Sequence, residues 1–183
     1  SVSPDTATIL SIMPNDGGGF CECADCRALD RRELYTADEI REGGYDGKVL
    51  SDRVFSFINQ VAREVKKTHP RLFLGTYAYT FYRIPPRSIA RLEENVVLGI
   101  TQFNTWYADA NYKENTRKFI ADWRKKTGNL SVREYTGDYN FLAMPHPVPE
   151  ILAEDVSFMT RDMRFGFLSE ALPDFATNHL NYY

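Results

Sequence analysis

No stretch of this chain is long, apolar and uncharged enough to cross a bilayer as a helix, so the sequence carries no membrane span. An excess of one charge is missing too. The 22 Lys and Arg stand against 25 Asp and Glu, intermixed along the chain, and a net charge of -3 marks neither a nucleic-acid footprint nor a polybasic lipid-binding patch. The glycine run Gly17, Gly18 and Gly19 fits neither the dinucleotide fingerprint nor the P-loop, and no G-x-S-x-G nucleophile elbow occurs. Histidines are only three: His69 precedes a proline, His146 lies between prolines, and no Ser-His-Asp arrangement is indicated. The first residues include neither an initiator Met nor a charged region followed by an apolar one, so no signal peptide is visible, and both ends read as cuts from a longer protein.

What is present suits one α/β domain spanning residues 1–183, since 43% hydrophobic residues supply a single core. The near-continuous apolar run in Thr6 to Met13 predicts a strand buried on both faces, stopped by Pro14. A long polar segment follows to Leu50, with a short helix around Thr36 to Arg41. Ser51 and Asp52 are placed to cap a helix with the stripe Val54, Phe55, Ile58, Val61, Ala62 and Val65, and His69-Pro70 ends it. Strands are predicted at Leu72 to Ala78, Val96 to Phe103, Leu130 to Tyr135 and Phe167 to Ser169, with a helical turn at Ser88 to Glu93. Asn111 with Glu114 resembles a capping box for a helix burying Phe119, Ile120 and Trp123, which Gly128 ends. Pro149 opens a further helix carrying Ile151, Leu152, Val156, Met159 and Met163. Alternating strands and helices predict a parallel sheet, either a doubly wound open sheet or part of a (β/α)8 barrel.

The strand ends favour the barrel. Asn15 and Asp16 follow the first strand, Tyr77 and Tyr79 mark the second, and Gln102, Asn104 and Trp106 the third. Glu134, Tyr135 and Asp138 follow on the fourth, and Glu170 on the fifth. Barrel enzymes gather their active sites from several such ends, whereas an open sheet concentrates them at one switch point. Carboxylates among aromatics suit glycosidic-bond chemistry, in which one carboxylic acid protonates the leaving oxygen and a second acts as nucleophile or base. Trp106 and the tyrosines offer flat faces to sugar rings. Each carboxylate also has a plainer reading: Asp16 bonding its own turn, Glu134 pairing with Arg133, Asp138 as a loop residue.

Cys21, Cys23 and Cys26 fall in one short segment. A closed zinc site needs four ligands and no histidine is near in sequence, so metal is the minority alternative beside a disulfide or reduced thiols, and no cofactor is expected.

The segments PNDGGGFCECADC, SDRVFSFINQVAREVKKTHP followed by LFLGTYAYT, EYTGDY, FGFLSEA and HLNYY together resemble the bacterial Domain of Unknown Function 4838 family over nearly the whole chain. That family is similar to barrel glycoside hydrolases, is often joined to an N-terminal domain like that of α-glucuronidases, and is commonly exported. The resemblance implies a C-terminal part of a glycoside-hydrolase-like barrel, about five βα units, with the remaining N-terminal part of the same protein as partner. It implies a periplasmic or extracellular location in a bacterium. It also makes Asp16 and Glu134 the first catalytic pair, with Glu170 as the alternative base. The expected function is hydrolysis of an oligo- or polysaccharide. The alternatives are a non-catalytic carbohydrate-binding or scaffold barrel and a cysteine-ligated metal protein.

Overall fold

The computed structural model describes residues 8–103, 109–135, 153–154, 156–158 and 164–170, with the backbone alone for 42–43, 103 and 167–170. Five parallel strands form one sheet in the order β1 (Thr8–Ser11), β2 (Leu72–Ala78), β3 (Val96–Phe103), β4 (Leu130–Tyr135) and β5 (Phe167–Glu170). Spatial order equals chain order, so no switch point exists among the described strands. Helices α1 (Ala24–Ala28), α2 (Ala37–Gly43) and α3 (Ser51–Thr68) lie between β1 and β2, and α4 (Ala110–Lys126) lies between β3 and β4.

Both long helices cover the same side of the sheet. Val54, Phe55, Ile58 and Ala62 of α3 and Ile120 and Trp123 of α4 share one core with Leu74, Ala78, Leu98, Ile100, Leu130 and Val132. Strand side chains alternate between faces, so in register Thr76, Gln102 and Glu134 fall on this helix-covered side. Tyr77, Gly99, Thr101, Ser131, Arg133 and Tyr135 belong to the other. The helical stripe expected on α3 is thus the buried one. Trp123 is fully buried, meets Phe55 edge to face at 4.8 Å, and its indole Nε1 donates to the Arg83 carbonyl at 2.8 Å.

Four expectations are corrected. First, β1 is not buried on both faces: Ile9 and Leu10 are 48% and 51% exposed, because among the described residues this edge strand pairs only with β2. Its residues before Thr8 lie outside the described residues. Second, Asp52 is not the cap of α3, since Leu50 holds that place. The Asp52 carboxylate is buried and accepts from the Tyr35 hydroxyl, the Arg87 amide at 3.1 Å, and both the amide (2.7 Å) and hydroxyl of Ser88. Burial and this carboxylate push the Tyr35 phenol well above its ordinary range.

Third, Ser88 to Glu93 forms no helical turn. Its backbone groups are taken by distant partners: Asn59 bonds the Arg91 carbonyl at 3.1 Å and the Glu93 amide at 3.0 Å, and the Leu92 amide reaches the Lys126 carbonyl at 2.9 Å. An irregular segment satisfied in this way needs no helix. Fourth, α4 is capped two residues earlier than expected, by Asp109, which accepts from the Asn111 amide at 2.9 Å and the Tyr112 amide at 3.4 Å. The short helix expected near Thr36 is α2, closed by a Thr36–Glu39 capping box. Of the helix expected after Pro149, 153–154 and 156–158 are helical and the rest lies outside the described residues. Among the described residues no helix is long and apolar enough to cross a membrane.

Candidate functional site

The carboxyl ends of β1 to β5 all lie along one rim, because every neighbouring pair is parallel. At β1 the chain leaves through exposed Asn15 and Asp16 and then turns through Gly17 and Gly19, whose φ values of 97° and 74° favour glycine. This turn folds Phe20 back onto the end of β2, where its ring meets Phe81 at 5.7 Å and Tyr82 at 6.5 Å. The Tyr82 phenol is pushed up to about 12, by burial first and then by the neighbouring Tyr79 and Asp16.

On the face away from the helices, Arg133 lies between two rings, its guanidinium carbon 5.3 Å from the centroid of Tyr77 and 5.2 Å from that of Tyr135. Tyr77 lies flat across Gly99, where an added Cβ would stand 2.4 Å from the tyrosine ring carbon Cδ1. Gly99→Ala is therefore expected to push Tyr77 off β3 and cost about 1–3 kcal/mol, read as a lower urea midpoint together with altered Tyr77 ring resonances. Unchanged resonances and midpoint would show that the ring does not need the bare backbone.

Glu134 sits one residue from Arg133 but on the opposite face. It is fully buried in the row Leu130, Val132 and Glu134, and Gln102 Nε2 donates to its Oε1 at 3.2 Å. Alternation within β4 thus separates the two residues expected to pair. Glu170 ends β5 in register with Tyr135. The rim thus brings together Tyr77 with Arg133 and Tyr135, and Gln102 with Glu134. Asn104, Trp106 and Asp138 lie outside the described residues. Arg133 was not expected at the site; the alternating Ser131, Arg133, Tyr135 set against Leu130 and Val132 is the signal that places it on the open face.

A second feature was also missed. A cavity of about 590 Å³ is lined by Phe20, Cys21, Glu22, Lys48, Arg53 and Phe81 among others, and by neither Asp16 nor Glu134. The loop around it is braced by ion pairs rather than by cystine. Arg53 makes a two-pronged contact with Asp30 at 2.8 and 3.0 Å and donates to the Cys21 carbonyl at 2.7 Å, and Glu22 bridges Lys48 (2.6 Å) and Arg27 (3.2 Å). Cys21, Cys23 and Cys26 are free thiols with their sulfurs within 4.8 Å of one another. The Cys26 amide and the two neighbouring thiols donate to the Cys23 sulfur and lower its pKa to about 7; donation by Cys26 to its neighbours raises its own to about 11.

Sheet and rim together define a parallel α/β protein built from βα units, with polar and aromatic side chains gathered where the strands end. A family model described as Domain of unknown function (DUF4838) matches residues 2–183, and the chain belongs to that family. No curated protein and no solved structure matches it.

Proposed function

We propose that this chain is part of a (β/α)8-barrel carbohydrate-active enzyme, a glycoside hydrolase acting on oligo- or polysaccharide and exported to the periplasm or cell exterior of a bacterium. The observation that supports it most is the sheet face away from the helices, where half-buried Tyr77 and Arg133 and buried Tyr135 stand towards the carboxyl ends of sequentially ordered strands. In this reading the helix-covered side is the outside of the barrel, and strands from the remaining N-terminal part of the protein complete it. Tyr77 is the sugar platform, Tyr135 backs Arg133 from a buried position, Asn15, Tyr79, Asn104, Trp106 and Asp138 surround them, and Arg133 offers a cation to an acidic sugar.

Strand register supports the carboxylate roles in this reading. Asp16 is the acid and Glu170, in register with Tyr135, the base or nucleophile. In a flat sheet their strands would be four spacings of about 4.8 Å apart, near 19 Å, which is too far for two carboxyls that must stand about 5–9.5 Å apart. Barrel closure sets such strands across the mouth from one another, so the pair depends on closure. Glu134, buried against Gln102 on the helix side, is a positioning residue that holds the end of β3 against β4.

The test is turnover. The intact protein, incubated with neutral and uronic-acid-containing oligosaccharides, is expected to release new reducing ends from at least one. Sugar retained on the protein without cleavage of any would replace this reading with that of a non-catalytic binding barrel.

A further inference from the structure

We propose that Cys21, Cys23 and Cys26 form a three-thiolate site for a soft divalent metal ion, zinc being the ion whose chemistry fits best. Their ligand atoms already lie within 4.8 Å of one another, and among the described residues this is the one group of three or more His, Cys, Asp or Glu side chains close enough to share an ion. A tetrahedral zinc with Zn–S bonds of about 2.3 Å holds its sulfurs about 3.8 Å apart. Closing the remaining ångström takes side-chain rotation within a loop whose backbone is already pinned by Arg53 at the Cys21 carbonyl.

The rest of the local chemistry agrees. Cys21 and Cys23 are exposed and Cys26 half-buried, so the thiols are not core residues whose packing would explain the cluster. Cys21 also lines the 590 Å³ cavity, which gives an ion a path in and leaves room for a water or ligand in the fourth position. The cations about the loop are held in pairs, Lys48 and Arg27 with Glu22 and Arg53 with Asp30, so three thiolates need not compete for them. On loading, each thiol gives its proton to water as its Zn–S bond forms. No sulfur changes oxidation state. Three soft donors also discriminate against magnesium and calcium. None of the strand-end carboxylates is a ligand of this site, so it holds or fails independently of the hydrolase reading.

The experiment uses the intact protein purified in chelator-free, reducing buffer. Titration with cobalt(II) is expected to give one equivalent of intense sulfur-to-cobalt charge-transfer absorption, bleached by one equivalent of zinc. Cys23→Ser, Cys21→Ser and Cys26→Ser are each expected to weaken zinc binding at least about 100-fold with unchanged circular dichroism. Glu22→Gln, which disturbs the loop's ion pairs but keeps the thiols, is expected to leave zinc affinity within about threefold. Absence of the charge-transfer band would overturn the proposal. So would zinc affinity untouched by the serine variants, a loss in Glu22→Gln equal to theirs, or a disulfide between two of these cysteines in protein isolated without reductant.

Discussion

Glu170→Gln in the intact protein is expected to slow glycoside hydrolysis by about 10²–10⁴-fold, while Glu134→Gln costs less than about tenfold. The difference follows from the two sides of the sheet rather than from distance to the rim. Both residues lie at carboxyl ends of neighbouring strands, but Glu134 belongs to the row that packs beneath α3 and α4 and has no exposed surface. A carboxylate there cannot touch a sugar bound on the open face. Its amide replacement keeps an oxygen for Gln102 Nε2. In the proposed reading Glu170, whose backbone ends β5 in register with Tyr135, exchanges a proton or attacks carbon, and Gln does neither. Initial rates with kcat and KM separated, alongside circular dichroism of each variant, check the contrast. A dead Glu134→Gln with an active Glu170→Gln would reverse the assignment and require β4 to present Glu134 to the open face.

Asp52→Ala is expected to destabilise the chain by about 3–5 kcal/mol, well beyond the loss of about 1 kcal/mol that follows removal of a helix cap. The Asp52 carboxylate satisfies two backbone amides and two hydroxyls from Tyr35, Arg87 and Ser88. Deleting it leaves the buried Tyr35 hydroxyl and the part-buried Arg87 and Ser88 donors without their shared acceptor, and each buried donor left alone costs about 1–3 kcal/mol. It also frees the Arg87 to Ser88 segment that occupies the place of a helix between β2 and β3. Ser51→Ala, at the other residue expected to cap, is the comparison and is expected to cost under about 0.5 kcal/mol. Urea unfolding of both variants decides the matter. An Asp52 loss of only about 1 kcal/mol would return it to a capping role.

These two residues also mark how far the sequence could be read. β2, β3 and β4 run over the residues expected, because branched apolar runs of strand length bounded by Gly, Pro and Asn carry a local signal. The stripe of α3 was legible for the same reason. Asp52 was misread because its partners lie 17 to 36 residues away, and a Ser-Asp pair ahead of an apolar stripe looks the same whether it caps or reaches across the fold. The exposure of β1 was hidden because being at a sheet edge is a property of topology, not of four residues. The side on which Glu134 falls was legible, since it shares parity with Leu130 and Val132. For the thiols, spacing in C-x-C-x2-C left disulfide, metal and free sulfur open, and only the folded loop shows three sulfurs drawn together.

The edge position of β1 has a consequence in the order of assembly. Its pairing with β2 joins residues 64 apart in the chain, Thr8 against Leu72, whereas β2 and β3 meet across 22, Leu74 against Val96. Loop closure for the longer span costs about 1 kcal/mol more, and β1 buries little apolar surface in return. Within this chain taken by itself, the strand that leads into Asn15 and Asp16 is therefore easier to release than β2 or β3. Its amides should exchange with solvent hydrogen through local opening long before those of β3, so the first loop of the rim can yield while the core beneath it stays closed.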